Sequence, residues 1–204
     1  MLDPASLRLI AITRNLVDDR ERMIADCVAA VRGGATMVQI RFKDADVGTQ
    51  VDIARMLVSA VEVPVLLNDR ADVALAARAA GVHLGATDIP VAAVRRISPP
   101  GFIIGASVGC TTEADNAVGA DYVGIGPVYA SMSKDDAGAA IGVEEFQRLS
   151  SLCGIPAVAI GGITAENAPT VMRSGAAGIA VIQALLGAAD PEQAARTLYY
   201  ATGM

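Results

Sequence analysis

The sequence predicts an α/β protein in which short strands alternate with helices along all 204 residues. Apolar runs and helix-like segments alternate from end to end, and no break in composition divides the chain, so we expect a single domain over residues 1–204. Hydrophobic residues make up 53% of the chain, although it has only 3 Phe, 4 Tyr and no Trp. The core must therefore be built from Ala, Val, Ile and Leu, which suits Ala-rich helices packed on strands rich in Val and Ile.

Each apolar run predicts a strand, and the segment after it has the pattern of a helix. The run LRLIAIT is the first example, and the helix after it begins in DDRERM and stops at the pair Gly33-Gly34. The later strands come from ATMVQIR, VPVLLN, GVHL, FIIGAS, DYVGIG, PAVAIG and AGIAVI. The predicted order is strand 7–13, helix 18–33, strand 35–41, helix 46–60, strand 63–68, helix 71–80, strand 81–84, helix 90–97, strand 102–107, helix 111–119, strand 121–126, helix 142–152, strand 156–161, helix 166–174, strand 177–182 and a C-terminal helix.

Strictly alternating strands and helices imply parallel strands joined by right-handed crossovers. Eight such units most often close into a TIM (β/α)8 barrel, and this is the fold that we predict. An open, doubly wound sheet is the alternative. A Gly-rich dinucleotide-binding turn after the first strand would favour that alternative, but the segment AITRNLVDD contains no Gly.

The stretch VQIRFKD at 38–44 places Gln39, Arg41 and Lys43 on one face of a strand and apolar residues on the other. An exposed face on an edge strand is one explanation of this pattern. A closed barrel has no edges, and polar residues at the carboxyl end of a barrel strand point into the mouth, where barrel enzymes have their active sites. The barrel prediction therefore puts these three side chains at the mouth.

Charge and composition exclude several classes of function. The net charge is −6 without a basic run, so nucleic-acid binding is not expected. The absence of an 18-residue apolar stretch and of a signal-peptide pattern predicts a cytoplasmic protein without a membrane partner. The three widely spaced cysteines have no metal-binding spacing and are expected to be reduced thiols.

Polar residues follow the predicted strands at one common end. Asn68 and Asp69 follow the third strand, Asp88 the fourth, and Ser107 ends the fifth. Two carboxylates, together with phosphate oxygens and waters, form a ligand set that Mg²⁺ prefers. The alternative for each carboxylate is a helix N-cap, with Pro90 in the first turn after Asp88.

Two further segments indicate phosphate binding. In AIGGIT, glycines between a strand and a helix leave backbone N–H groups free for an anion, and barrels often bind phosphate after strands seven and eight. A tight turn that needs glycine is the alternative. The segment SMSK at 131–134 offers two hydroxyls and a lysine, with an ordinary solvated loop as the alternative.

No Ser-His-Asp set is visible, and the single histidine, His83, is explained equally by a packed, hydrogen-bonded position in the core. A site with cations, carboxylates and hydroxyls but few bases suits chemistry driven by charge stabilisation. Expulsion of a pyrophosphate leaving group is such a reaction.

Six blocks, taken together and in order, resemble the thiamine-phosphate synthase family from about residue 8 to residue 187. They are VQIRFKD, LLNDRADVALAARAAGVHLGATD, IIGASV, ADYVGIGPVYASMSK, IPAVAIGGIT and GAAGIAVIQAL. The resemblance implies a TIM-barrel transferase that joins 4-amino-2-methyl-5-hydroxymethylpyrimidine diphosphate to 4-methyl-5-(2-phosphooxyethyl)thiazole, with Mg²⁺. It also implies a dissociative mechanism, in which pyrophosphate leaves first and the thiazole nitrogen then traps the pyrimidine methylene cation.

The resemblance further implies roles for the residues at matched positions. Four residues are expected to act in catalysis: Arg41, Lys43, Ser107 and Lys134. Together with Gln39 and Asn68 they are expected to hold the pyrimidine diphosphate, while Asp69 and Asp88 hold Mg²⁺. The thiazole phosphate is expected at Ser131, Met132, Ser133, Gly162, Ile182 and Gln183. The partners are then these small-molecule substrates, and a homo-oligomer is compatible with the sequence.

The chain departs from the family pattern at several positions. Ala130-Ser131 stands where Pro-Thr is usual, HLGATD replaces HLGQED, and Gln183 replaces Ser. Gly109 stands where the related thiazole tautomerases rely on His, which favours a synthase. A barrel that binds phosphate ligands without turnover is the other alternative. The retained charges at the matched positions argue against it, because a barrel that only folds does not need them.

Overall fold

The barrel is closed, and all of its strands are parallel. The computed structural model describes residues 2–14, 19–42, 45–130 and 139–203. Neighbouring strands pair in sequence order, and the last strand pairs with the first, which closes the sheet. The strands are β1 (Leu9–Ile12), β2 (Met37–Ile40), β3 (Val65–Asn68), β4 (Gly81–Leu84), β5 (Ile103–Val108), β6 (Tyr122–Ile125), β7 (Ala157–Ile160) and β8 (Gly178–Val181). The TIM-barrel prediction is confirmed, and the doubly wound alternative is wrong.

Helices follow nearly every strand. They are α1 (Arg20–Arg32), α2 (Val47–Ala60), α3 (Ala71–Ala77), α4 (Val91–Ile97), α5 (Gly142–Cys153), α6 (Ala168–Arg173), α7 (Gln183–Leu186) and α8 (Pro191–Ala201), with 3₁₀ helices at Pro4–Leu7 and Thr111–Ala117. Within the described ranges, none of these helices has both the length and the apolar character needed to cross a bilayer.

The predicted α-helix at 111–119 is wrong, because this segment forms the 3₁₀ helix Thr111–Ala117. Its sequence, TTEADNA, is rich in short polar side chains that compete for backbone hydrogen bonds and so disfavour an α-helix. By contrast, α1, α2 and α8 each begin after an aspartate whose carboxylate accepts a backbone N–H of the first turn, as expected for helix N-caps.

Two apolar layers hold the barrel together. The outer layer lies between strands and helices, and Val38 and Ile40 of β2 belong to it. The lumen is filled by a second cluster, which includes Ile10, Met37 and Tyr122. Successive residues of a strand face opposite sides, so the strands supply both layers in alternation.

Strand β2 is an interior strand of the barrel. It pairs with β1 on one side and β3 on the other, and its four residues are all buried. The edge-strand explanation of VQIRFKD is therefore wrong. Gln39 is on the lumen side of β2 with only 4% of its surface exposed, and Arg41 follows the end of the strand.

Candidate active site

A cavity of about 1150 Å³ opens at the carboxyl ends of the strands. Its wall contains nine of the residues predicted from the sequence: Gln39, Arg41, Asn68, Asp69, Asp88, Ser107, Gly162, Ile182 and Gln183. The other predicted residues, Lys43, Ser131, Met132, Ser133 and Lys134, lie outside the described residues. Every predicted site residue that the structure describes therefore lies at a single mouth of the barrel.

A line of polar side chains crosses the ends of β2 and β3. The side-chain amide of Gln39 donates a hydrogen bond of 2.5 Å to Oδ1 of Asn68, and Nδ2 of Asn68 donates to the Asp69 carboxylate. The backbone N–H of Arg41 donates to Oγ1 of Thr13, 2.9 Å away on the β1 side. These bonds leave little freedom for the first residues after each strand, and so they orient the polar groups before a ligand arrives.

Asp69 and Asp88 lie next to each other at the ends of the neighbouring strands β3 and β4. The Asp69 carboxyl lies against Asn68 and Asp88, which removes part of its water, although Asp69 is an exposed residue. This desolvation is the largest cause that raises the pKa of Asp69, to about 6, and the hydrogen bond with Asp88 and the negative charge of Asp88 add to it. The hydrogen bond from Asn68 and the positive charge of Arg41 lower the pKa of Asp69. The negative charge of Asp88 beside the Asp69 carboxyl is an arrangement that a bound cation would stabilise.

The backbone at Asp69 adds a second sign of a specialised position. Asp69 has φ = 66°, in the left-handed region that residues other than glycine rarely adopt. Its N–H donates to the carbonyl oxygen of His83 at 2.8 Å, which ties the turn after β3 to β4. Such strained residues persist where the surroundings hold them, and they concentrate at functional sites.

Neither carboxylate is a helix N-cap, so both alternatives from the sequence are wrong. The N-cap of α3 is Arg70, and that of α4 is Pro90, and neither helix has a side-chain cap. Asp88 instead accepts the backbone N–H of Gly85 at 2.6 Å, which closes a tight turn directly after β4. That turn directs the carboxylate toward the mouth rather than toward the following helix.

The opposite side of the mouth is built from glycine backbone. Gly161 and Gly162 have φ values of 92° and 63°, which disfavour other residues. A Cβ on Gly162 would also lie 2.5 Å from the carbonyl oxygen of Ala130 and 2.7 Å from Cβ of Tyr129. The turn explanation of this glycine pair is therefore correct. The same turn exposes backbone to the cavity, where an anion could reach it.

Gln183 begins the short helix α7 at the end of β8. A Cβ on Gly187 would lie 2.5 Å from Nε2 of Gln183, so the Gln183 side chain runs along its own helix toward the C-terminal end. The first N–H groups of a helix have no acceptor within that helix. Backbone groups therefore remain available at this position, although serine is replaced by glutamine.

The sequence did not reveal three further residues of the cavity wall. His83 and Tyr122 form a hydrogen-bonded chain with Ser107, with 3.0 Å at each contact, so His83 is indeed a buried, hydrogen-bonded residue. Glu113 accepts the backbone N–H of Gly109 at 2.6 Å. The grouping of His83, Tyr122 and Ser107 depends on contacts between strands that are distant in sequence, whereas Glu113 lies only four residues from Gly109. Only the polar character of the residues could have suggested either grouping.

The geometry defines a class of protein, namely a TIM-barrel enzyme for phosphorylated small molecules. One side of the mouth presents a guanidinium group, two facing carboxyl groups, amides and a hydroxyl, and the other presents glycine backbone. This combination can hold anionic groups and a hard cation together, and it contains few bases for proton abstraction.

The comparisons with known proteins identify the family. The family model described as thiamine monophosphate synthase (TMP-TENI) matches residues 9–185. A thiamine-phosphate synthase of Azorhizobium caulinodans is 44% identical over 203 residues, which cover 97% of this chain and 96% of that protein. A thiamine-phosphate synthase of Roseiflexus sp. (strain RS-1) is 44% identical over 185 residues, covering 88% of this chain and 78% of that protein. The chain therefore belongs to the thiamine monophosphate synthase family.

A solved structure agrees with this assignment. Thiamine phosphate pyrophosphorylase from Pyrococcus furiosus superposes with a TM-score of 0.87 at 36% identity, over 98% of this chain and 96% of that one. The chain is thus an enzyme of the transferase class, as the resemblance implied, and the comparisons favour neither a thiazole tautomerase nor a barrel without turnover.

Proposed function

We propose that the cavity condenses 4-amino-2-methyl-5-hydroxymethylpyrimidine diphosphate with 4-methyl-5-(2-phosphooxyethyl)thiazole, giving thiamine phosphate and pyrophosphate. The observation that carries this proposal is the convergence of Arg41, Asn68, Asp69, Asp88 and Ser107 on one side of a single mouth. This set can neutralise and orient a diphosphate, and the reaction proposed needs a diphosphate to depart.

Charge neutralisation is the main task of such a site. At about 4 Å and an effective dielectric constant of about 20, two like unit charges repel by about 4 kcal/mol, and two phosphorylated substrates bring several such charges to one cavity. Arg41 can hold phosphate oxygens with two parallel hydrogen bonds, whereas Lys43 and Lys134 would act as mobile point charges. The same cations stabilise the charge that grows on the leaving group.

The residues present fit Mg²⁺. Asp69 and Asp88 supply two hard oxygen ligands whose carboxyl groups already lie in contact, and their mutual repulsion would be relieved by a cation. Among the described residues there is no group of three or more potential His, Cys, Asp or Glu ligands, so substrate oxygens and waters would complete the coordination. When bound, Mg²⁺ would neutralise diphosphate oxygens and make pyrophosphate a better leaving group.

The amide groups and Ser107 would orient the pyrimidine. Gln39 is 4% exposed and bound to Asn68 at 2.5 Å, so both side chains are held in place at the base of the site. A dissociative reaction needs this precision. Once pyrophosphate has left, the methylene carbon must lie near the thiazole nitrogen and away from water.

The thiazole phosphate would bind on the glycine side of the mouth. Gly162 and the Ile182-Gln183 pair line the cavity there, close to the position where barrels often bind phosphate. Ala130 also lines the cavity, and Ser131, Met132 and Ser133, which follow it in the sequence, would complete this subsite. Two subsites on opposite sides keep the phosphates apart while the reacting atoms meet between them.

Both partners in this proposal are small molecules, and we place the reaction in the cytoplasm. The deciding experiment incubates the purified protein with both substrates and Mg²⁺. Thiamine phosphate is measured by chromatography and pyrophosphate by a coupled assay. We expect equal amounts of the two products. Pyrophosphate release without thiamine phosphate, or no turnover with authentic substrates, would contradict the proposal.

A further inference from the structure

A chain of three side chains runs from the lumen to the cavity wall. The hydroxyl oxygen of Tyr122 lies 3.0 Å from Nδ1 of His83, and Nε2 of His83 lies 3.0 Å from Oγ of Ser107. The register of the strands creates the chain. His83 on β4 is the partner of Gly105 on β5, and Gly105 is the partner of Tyr122 on β6. A buried phenol is thus connected to a hydroxyl that a ligand can touch.

Two glycines make room for the imidazole ring. A Cβ on Gly105 would lie 2.5 Å from Nδ1 of His83, and a Cβ on Gly124 would lie 2.9 Å from Cε1 of the same ring. Any other residue at either position would displace the ring. The slot between β5 and β6 therefore holds His83 in one orientation, with Nδ1 toward Tyr122 and Nε2 toward Ser107.

The directions of the hydrogen bonds follow from the burial of Tyr122. Only 1% of Tyr122 is exposed, so its hydroxyl must donate to a protein acceptor or lose a hydrogen bond. Burial also raises the pKa of Tyr122, which keeps the phenol protonated. Among the described residues, Nδ1 of His83 is the acceptor that this hydroxyl reaches. An Nδ1 that accepts leaves the proton of a neutral imidazole on Nε2.

The proton on Nε2 then fixes the role of Ser107. The N–H donates to Oγ of Ser107, so the serine hydroxyl hydrogen is free to point into the cavity. A ligand atom opposite Ser107 must accept a hydrogen bond. If the protons ran the other way, Nε2 would accept the serine hydrogen and Ser107 would face the ligand as an acceptor.

We propose that Tyr122 and His83 are positioning residues that hold Ser107 as a hydrogen-bond donor to an acceptor atom of the pyrimidine diphosphate. This inference rests on the proposed function for the identity of the ligand. A neutral imidazole also places no additional positive charge beside a pyrimidine that becomes electron-poor when pyrophosphate departs. A Ser107 that donates would select a ring nitrogen or a phosphate oxygen of this substrate, which accept hydrogen bonds, over its 4-amino group, which donates them.

The first test uses the fact that the chain contains one histidine. Untagged protein labelled with ¹⁵N-histidine gives one pair of ring nitrogen signals, which report the tautomer directly. At neutral pH and without ligand, we expect Nε2 to be protonated and Nδ1 to be unprotonated. An Nδ1–H tautomer or a charged imidazolium would overturn the proposal. This measurement needs no turnover, so it stands apart from failure of the proposed function.

The second test removes the Tyr122 hydroxyl. Tyr122→Phe should move the ¹⁵N signal of Nδ1 downfield, toward that of an unprotonated nitrogen that accepts no hydrogen bond, and leave the thermal unfolding temperature within a few degrees of the parent. Tyr200→Phe is the matched control, because Tyr200 is 66% exposed on α8. The control should change neither property. An unchanged Nδ1 signal in Tyr122→Phe would contradict the assigned direction of the hydrogen bonds.

The third test asks whether Tyr122 acts through Ser107. We expect Tyr122→Phe to lower kcat/KM for the pyrimidine diphosphate about 10-fold, which is the size of one neutral hydrogen bond. In a Ser107→Ala background the same change should have no further effect, because the hydroxyl it orients is gone. Full additivity of the two losses would mean that Tyr122 supports the barrel in general rather than Ser107, and would overturn the proposal.

Discussion

The two sides of the mouth use different parts of the polypeptide for the same task. On the charged side, formed by the ends of β2 to β5, side chains such as Arg41, Asp69 and Asp88 line the cavity. On the glycine side, formed by the ends of β6 to β8, Gly161 and Gly162 bring backbone to the surface. A side chain can change its charge or bind a metal, whereas backbone N–H groups offer a fixed, neutral set of donors. The difference suggests that departing charge is managed on one side and a permanent phosphate is held on the other.

The largest expected effect comes from the charged side. Arg41→Ala should lower kcat/KM about 1,000-fold, which corresponds to about 4 kcal/mol. The change removes a cation whose attraction for the substrate is strongest when negative charge builds up on the departing pyrophosphate. Unfolding temperature should stay almost unchanged. Arg96→Ala, at an exposed position in the last turn of α4, is the matched control and should leave activity intact. Equal losses of activity and stability in Arg41→Ala would mean that the charged side is structural.

The next effect tests the glycine side. Gly162→Ala should raise KM for the thiazole phosphate about 100-fold and lower the free energy of unfolding by about 3 kcal/mol, because strain at positive φ adds to the clash with Ala130. The matched control is Gly175→Ala. Gly175 has φ = 91°, but a Cβ there would meet nothing within 4 Å. The control should lose only about 1 kcal/mol of stability and no activity. Identical kinetics in the two variants would remove the glycine turn from the site.

A smaller effect separates the carboxylates from the rest of the charged side. The pKa of Asp69 is raised to about 6 in the folded protein, above its value in the unfolded chain. The protonated carboxyl therefore contributes fully to the stability of the fold below about pH 4. That contribution is lost as the pH rises through about 6. Asn does not ionise. In buffer without divalent metal, Asp69→Asn should therefore raise the unfolding temperature at pH 8 more than at pH 5, although the variant loses activity.

Two controls sharpen this pH prediction. Asp52→Asn, at an exposed position on α2, should show no difference between pH 5 and pH 8. Added Mg²⁺ at pH 8 should stabilise the parent protein and leave Asp69→Asn almost unchanged, because one of the two carboxylates is missing. If Asp69→Asn changed the unfolding temperature by the same amount at pH 5 and at pH 8, Asp69 and Asp88 would not repel each other.

Local sequence patterns predict one part of this molecule and miss another. The barrel, the strand order and the residues at strand ends follow from local patterns, namely period-two strands and alternation of elements. The chain from Tyr122 through His83 to Ser107 depends on the register between β4, β5 and β6, which no local pattern encodes. The capping rule failed at Asp69 and Asp88 because a short carboxylate can bond to several nearby groups, and here turn and site geometry prevail over the helix terminus.

The smallest effect bears on how the glycine side holds phosphate. Gln183 replaces the serine that is usual in the family, and its side chain lies against Gly187 at the other end of α7. If backbone N–H groups hold the thiazole phosphate, Gln183→Ser should change KM for that substrate by less than about 3-fold, within the range of an exposed hydrogen bond. Gln147→Ser, at an exposed position on α5, is the control for a general effect of the substitution. A 10-fold fall in KM specific to Gln183→Ser would show that a hydroxyl contributes directly, and that the two sides of the mouth both rely on side chains.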